Sequence, residues 1–249
     1  MTICSLIACL ILFWTVKFWG RSQHFMAYEH PIFTAAKNST EPVLFIKPSP
    51  AQLQNALNTK DNLYLNVAST VDQKVVLPIK AWSSKMKPIR YSLYNDIKDD
   101  VILLFDVKDK LTGRLLIFNL VENAQAGHVI FFDEIKKMRW ERGESLIVTS
   151  PYEAMGKSLK DIAPALLFGT TQPEILRLVA MNSMLLIEAV SLRADIVIHP
   201  LMIKNQKFYD ESLLAELQRR HRKIIVGPIA EGDLIEARAL NPLGIIVEK

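Results

Sequence analysis

The chain has 249 residues, half of them hydrophobic and 22% charged. That is enough apolar material for one well-buried domain, and it excludes a disordered or fibrous chain. The net charge of +4 comes from scattered basic residues with one cluster at Arg219, Arg220, Arg222 and Lys223; the cluster ends a helical pattern, where cations complement the helix dipole, and no nucleic-acid motif accompanies it.

Residues 3–16 (ICSLIACLILFWTV) carry no charge, and the apolar character runs past Lys17 to Gly20. A spanning helix needs about 20 residues, so residues 1–20 are expected to form an uncleaved single-pass transmembrane anchor. Lys17 would reach the headgroups, with Trp14 and Trp19 at the interface. A cleaved signal peptide would show a basic start and a small-residue cleavage site, and neither is present. Lys17 and Arg21 follow the run with no basic residue before it, which places the body on the cytoplasmic side. The only cysteines, Cys4 and Cys9, lie in this run, so the body has no thiol for a disulfide, a zinc site or nucleophilic attack.

Residues 21–41, with His24, His30 and Pro31, lack a sustained period and read as a linker or a strap along the body. Asn38-Ser39-Thr40 fits a glycan acceptor, which matters only for a lumenal body. From residue 42 onwards short β-branched runs alternate with amphipathic stretches, the pattern of a parallel sheet with crossover helices. Strands are expected at 43–47, 63–69, 75–79, 101–107, 129–132, 145–150, 165–169, 195–200, 223–227 and 244–248. Helices are expected at 51–59, 111–124, 152–162, 172–190, 209–222 and 231–239. Eight of these strands close a TIM-type (β/α)8 barrel over residues 42–249 if 75–79 returns beside 63–69 and 129–132 is an insertion. An open doubly wound sheet would show a glycine-rich turn after its first strand, where Pro48-Ser49-Pro50 stands instead.

Several loop phrases carry a resemblance. SLIVTSPYEAMGKSLKDIAPALLFG, ADIVIHPL, KIIVGPI and NPLGIIVEK follow in order, and earlier LYLNVASTVDQKVVLP and VILLFDVKD occur. In order and spacing these resemble the glycerophosphodiester phosphodiesterases, within the phospholipase-C-like phosphodiesterase barrels. The resemblance implies a divalent cation held by three carboxylates on two strands, and two histidines acting as base and acid. The family's first histidine and arginine fall on Ile46 and Lys47, its paired strand carboxylates on Tyr64 and Asn66, and its histidine–aspartate pair on Pro78 and Ile79. Its third carboxylate falls on Asp106 and its lysine on Lys108. The late tryptophan motif falls on Gly227-Pro228-Ile229-Ala230, and Thr149 and Ser150 match the strand-end polar pair.

What the resemblance implies is thus a barrel with most catalytic residues replaced. No metal site or other cofactor is expected, with Asp106 paired to Lys108 or Lys47 instead. Lys47, Asn66, Lys108 and Ser150 are the expected contacts for an anionic phosphate-containing ligand such as a phospholipid headgroup or a glycerophosphodiester, or the body binds a protein partner. The alternative is an active phosphodiesterase with calcium or magnesium in a rearranged site, with Asp106, Lys108 and His199 as catalytic candidates. Trp82, Trp140, Tyr91 and Tyr94 read as packing residues. There is no nucleophile elbow, phosphate-cradling glycine loop or H-E-x-x-H motif.

Overall fold

The computed structural model describes residues 7, 10–15, 30–80, 87–123, 126–140 and 145–249. Residues 10–15 are helical; the remainder of the expected anchor beyond residue 7, the linker up to residue 29 and Trp82 lie outside the described residues. Among the described residues no helix is long and apolar enough to cross a membrane.

The body opens with helix α1 (Pro31–Lys37), strand β1 (Val43–Lys47), α2 (Leu53–Asn58) and β2 (Asn62–Ser69). An excursion follows. Strand β3 (Val75–Pro78) returns antiparallel on β2, and after α3 (Tyr94–Ile97) strand β4 (Val101–Leu103) pairs with β3 and leads into α4 (Lys108–Leu111). Then come β5 (Leu116–Leu120), α5 (Gly127–Lys137), β6 (Leu146–Thr149), α6 (Glu153–Ile162), β7 (Leu167–Phe168), α7 (Gln172–Ser183) and β8 (Ile196–His199). A small hairpin, β9 (Met202–Ile203) and β10 (Gln206–Lys207), precedes α8 (Glu211–Arg219), β11 (Lys223–Ile229), α9 (Leu234–Ala239) and β12 (Gly244–Glu248).

Eight parallel strands form the ring β1-β2-β5-β6-β7-β8-β11-β12, with β12 returning to β1. The expected TIM-type barrel is therefore the fold, but its third strand is not the expected one. Residues 101–107 supply only a short edge strand and a turn, and 116–120, expected as helix, supply the barrel strand. LIFNL is apolar on both faces, because one side packs in the barrel and the other under helices, so it lacks the alternation that distinguishes a strand from a buried helix. Residues 129–132, expected as a strand, lie inside α5, where Phe131, Ile135 and Met138 are buried at helical spacing.

Strand alternation sorts the side chains. Phe45, Tyr64, Ile117, Ile147, Leu167, Ile196, Ile225 and Ile246 form one interior cluster. The intervening residues face outward under the helices; Leu63, Leu65, Phe118 and Val148, for example, pack with Leu104, Val107, Leu111 and Phe131. Helix α1 closes the N-terminal end of the barrel. Ile32 is fully buried in the interior cluster, and His30 caps the helix by accepting from the Ile32 amide at 3.2 Å through Nδ1. The same ring donates through Nε2 to the Leu146 carbonyl at 3.2 Å, fastening the plug to the base of β6.

The ring closes across its shortest strand. Between β7 and β8 there is a single bridge, Gly169 to Ile196, extended by Asp195 N–H to Phe168 O at 2.8 Å and Thr170 N–H to Ile196 O at 3.1 Å. Side chains reinforce the seam. The Asp195 carboxylate accepts from the Phe168 amide at 2.9 Å and from Lys160 Nζ at 2.6 Å, while Thr170 Oγ1 donates to Ile198 O at 3.1 Å and accepts from Ile198 N at 3.0 Å. Asp195 is almost fully buried, so removing its carboxylate takes an acceptor from both the Phe168 amide and the Lys160 ammonium. Asp195→Ala is expected to cost about 3 kcal/mol in urea denaturation, near the lower figure for breaking a buried ion pair. Gly227 carries a φ of +136°, and a Cβ there would stand 2.5 Å from the Ile246 carbonyl oxygen. Gly227→Ala is expected to destabilise by more than about 1 kcal/mol through that backbone clash and the strained φ, read as a lowered denaturation midpoint.

Candidate functional site

One step along each strand from the interior cluster, towards the C-terminal ends, the inward positions are Lys47, Asn66, Asn119, Thr149, Gly169, Ile198, Gly227 and Glu248. In barrels of this kind the C-terminal face carries the chemistry, because the loops there are free to vary on a rigid floor. Lys47 Nζ lies 2.6 Å from Glu248 Oε1 and 5.9 Å from the centre of the Tyr64 ring. Asn66 and Asn119 are direct partners in the β2–β5 register, and Asn119 Nδ2 donates to Asn66 Oδ1 at 2.9 Å. Thr149 Oγ1 donates to Thr170 O at 3.1 Å. Gly169 leaves room for Ile198, whose side chain would stand 2.6 Å from a Cβ at that position.

Above this layer, on the β1–β2–β5 side, lies a cavity of about 420 Å³ lined by Lys47, Tyr64, Asn66, Lys80, Ile89 and Glu122 among others. Pro78, where the family's histidine falls, lines it as well. Glu122 leaves the end of β5, and its Oε2 is buried with no hydrogen-bond partner among the described residues. Burial pushes its carboxyl up, against the opposing pull of the Arg90 and Ile89 amides and the Arg90 charge. Lys80 forms an ion pair with Asp100 beside the cavity, and that hydrogen bond holds its ammonium above the ordinary lysine range. The Tyr64 hydroxyl is pushed far up by burial, with the Glu248 carboxylate adding to the shift, so it stays a neutral donor. The cavity thus brings together two cations, amide and phenol donors, and one carboxyl that retains its proton above the usual carboxylate range.

Of the residues singled out from sequence, Lys47 and Asn66 meet at this mouth. Asp106 does not. It sits exposed in a turn after β4, on the outer layer beside Leu104 and Val107, which pack against the outside of β2. Among the described residues it makes no ion pair, and Lys47 takes Glu248 as its partner instead of Asp106. Lys108 opens α4 on the same outer layer. The misplaced third strand explains both, since the inward residue beside Asn66 is Asn119. His199 ends β8 facing outward. Its ring stacks on Phe208 at 4.2 Å, Nδ1 donates to Pro200 O at 2.8 Å, and burial holds its pKa below the usual histidine value. Ser150 is buried and donates to Leu120 O at 2.9 Å while accepting from the Tyr152 amide at 3.2 Å, so its hydroxyl shapes the loop. Trp140 packs on Phe118 as expected of a core residue.

Asn119, Lys80 and Glu122 were not legible as site residues. Reading 116–120 as a strand would have exposed the first and third, since Asn119 is the one polar residue inside that apolar run and Glu122 follows its end.

No protein-family model matches the chain, and no curated protein matches it in sequence. Solved structures match in shape. The glycerophosphodiester phosphodiesterase of Agrobacterium tumefaciens superposes with a TM-score of 0.57 at 15% identity, over 83% of this chain and 96% of that one. One from Parabacteroides distasonis gives 0.56 at 12%, over 84% and 93%. An Oleispira antarctica phosphodiesterase, solved in complex with the product sn-glycerol-3-phosphate, gives 0.58 at 12%, over 85% and 94%. The family resemblance carried by the loop phrases is thus matched in three dimensions, and the chain has the fold of the glycerophosphodiester phosphodiesterases.

Proposed function

We propose that the barrel mouth binds a phosphate-bearing ligand of the glycerophosphate kind, without a metal ion and without hydrolysing it. The observation that carries this reading is the mouth itself, where Lys47 and Lys80 line a cavity together with Asn66, a neutral amide bonded to Asn119 of the neighbouring strand. A phosphate would draw on the two ammonium groups and on Asn66 Nδ2 as donors. The unpartnered Glu122 oxygen would accept from a ligand hydroxyl, replacing a hydrogen bond the protein does not make internally. The complex of the Oleispira phosphodiesterase with sn-glycerol-3-phosphate supports this ligand class for the fold.

A divalent cation, which the resemblance implies, prefers several anionic oxygens in one place. Here two of the donors are amides already engaged with one another and the carboxylate of Glu248 is paired with Lys47. Among the described residues no three His, Cys, Asp or Glu side chains converge. This donor set does not fit the ion, and the rearranged active site built on Asp106, Asn66 and His199 has no common locus. In this reading the protein is held at a membrane by residues 1–20 with the body on the cytoplasmic side, as the apolar run and the following Lys17 and Arg21 suggest.

Calorimetric titration of the full chain with sn-glycerol 3-phosphate tests the binding. Lys47→Ala is expected to weaken it about tenfold, the loss of one charge-assisted contact, and Lys108→Ala to leave it unchanged. Calcium or magnesium is expected neither to raise the unfolding midpoint nor to elicit release of an alcohol from a glycerophosphodiester; metal-dependent turnover would overturn the reading. Glu122 has its own pH signature. With its folded pKa raised by burial, the stability it contributes is complete below the unfolded glutamate pKa and is lost as pH rises through the folded one. Glu122→Gln is therefore expected to gain in stability relative to the wild type as pH rises from acid to neutral, measured by urea denaturation across that range.

A further inference from the structure

A second cavity lies at the opposite end of the barrel and belongs to no part of the mouth. It is a groove of about 930 Å³ between α1 and α8, bounded by the turn before β12. Its size falls within the roughly 300–1,000 Å³ of small-molecule sites. Phe33 and Ala36 from α1, Leu214 and Leu217 from α8, and Leu240 and Leu243 from the turn give it apolar walls. Its charges are of one sign. Lys37 and Lys223 line it and are exposed, neither makes an ion pair among the described residues, and the rest of the polar lining is His221, Gln218 and Asn241 beside Arg222, with no carboxylate among the described lining residues. Arg222 lines it as well and donates to the Leu192 carbonyl at 3.4 Å.

A groove with apolar walls and lysines that no carboxylate of the lining opposes matches one ligand chemistry, a hydrocarbon chain ending in an acidic head. Along the Phe33, Leu214, Leu217 and Leu240 wall water has no polar side chain to bond, so that side of the groove favours an apolar occupant. A neutral or cationic head would leave Lys37 and Lys223 without a counter-charge, whereas a carboxylate or phosphate satisfies both. In sequence, the wall formed by α1 follows shortly after the apolar run of residues 3–16, so this groove is in the part of the fold covalently nearest any membrane that the run enters. We propose that the floor groove binds a single-chain anionic lipid, with its acyl chain between Phe33, Leu214 and Leu240 and its acidic head at Lys37 and Lys223.

The test is photolabelling of the full chain in phosphatidylcholine nanodiscs with a diazirine analogue of palmitic acid, followed by peptide mapping. Label is expected within residues 33–37 and 214–223, displaced by palmitate and not by the uncharged 1-monopalmitoylglycerol. The charge reversal Lys37→Glu with Lys223→Glu, and Ala36→Trp, which fills the trough, are each expected to reduce labelling there about tenfold, while Lys47→Ala at the mouth leaves it unchanged. The charge-reversal positions are exposed, so an unchanged circular-dichroism spectrum and unfolding midpoint keep that comparison interpretable if Ala36→Trp does not fold. Labelling of the groove insensitive to the charge reversal, labelling confined to residues 1–20, or equal displacement by the neutral lipid would each overturn the proposal.

Discussion

Everything at the mouth depends on the parallel ring closing across β7 and β8. A parallel strand left at an edge exposes a full row of backbone donors and acceptors, and closure removes that edge. Here the closing strand has only two residues, so the backbone supplies little of the seam and side chains supply the rest. Asp195 and Thr170 do this from adjacent strand ends, each using one polar group twice, as acceptor for two donors or as donor and acceptor together. Because the ring is shut, strand alternation has a fixed meaning around the whole circumference, and Lys47, Asn66, Asn119 and Glu248 come to one level.

At that level the electrostatics are those of partial neutralisation. Lys47 is balanced by Glu248 in a pair exposed enough that water screens it, so the pair contributes little to stability and leaves the ammonium free to exchange partners. The two asparagines satisfy each other without any net charge. Glu122 is the exception, a carboxyl with one oxygen buried and idle, held there because the Arg90 and Ile89 amides fix the rest of the group. An idle buried acceptor is a standing cost of desolvation, which a ligand donor can offset.

The fold class was legible because most barrel strands are β-branched runs of the right length, and seven of the eight were placed correctly from 43–47 to 244–248. The failure at the third strand is local in cause and wide in effect. Val101 to Val107 has the composition of a strand, and β4 does form there, but as the end of an excursion that pairs only with β3. Carrying a carboxylate onto Asp106 from that register put a charged residue in the mouth that the fold keeps on its outer surface. His199 misled differently: a histidine at a strand end belongs to whichever face the alternation assigns, and Ile196 and Ile198 take the inner one. Glu122 was invisible because its significance comes from the residues 89–90 that fold over it, which no local pattern reports.

The plug at the barrel floor changes how the chain can respond to force. Residues before His30 lead directly into a seven-residue helix whose Ile32 is fully enclosed and whose cap is fastened to β6. Tension applied from the N-terminal side would therefore act on α1 in shear against the barrel base before reaching any strand. Because α1 forms one wall of the floor groove, the first element to yield mechanically would also be the one that opens that groove, while the mouth at the far end would keep its geometry.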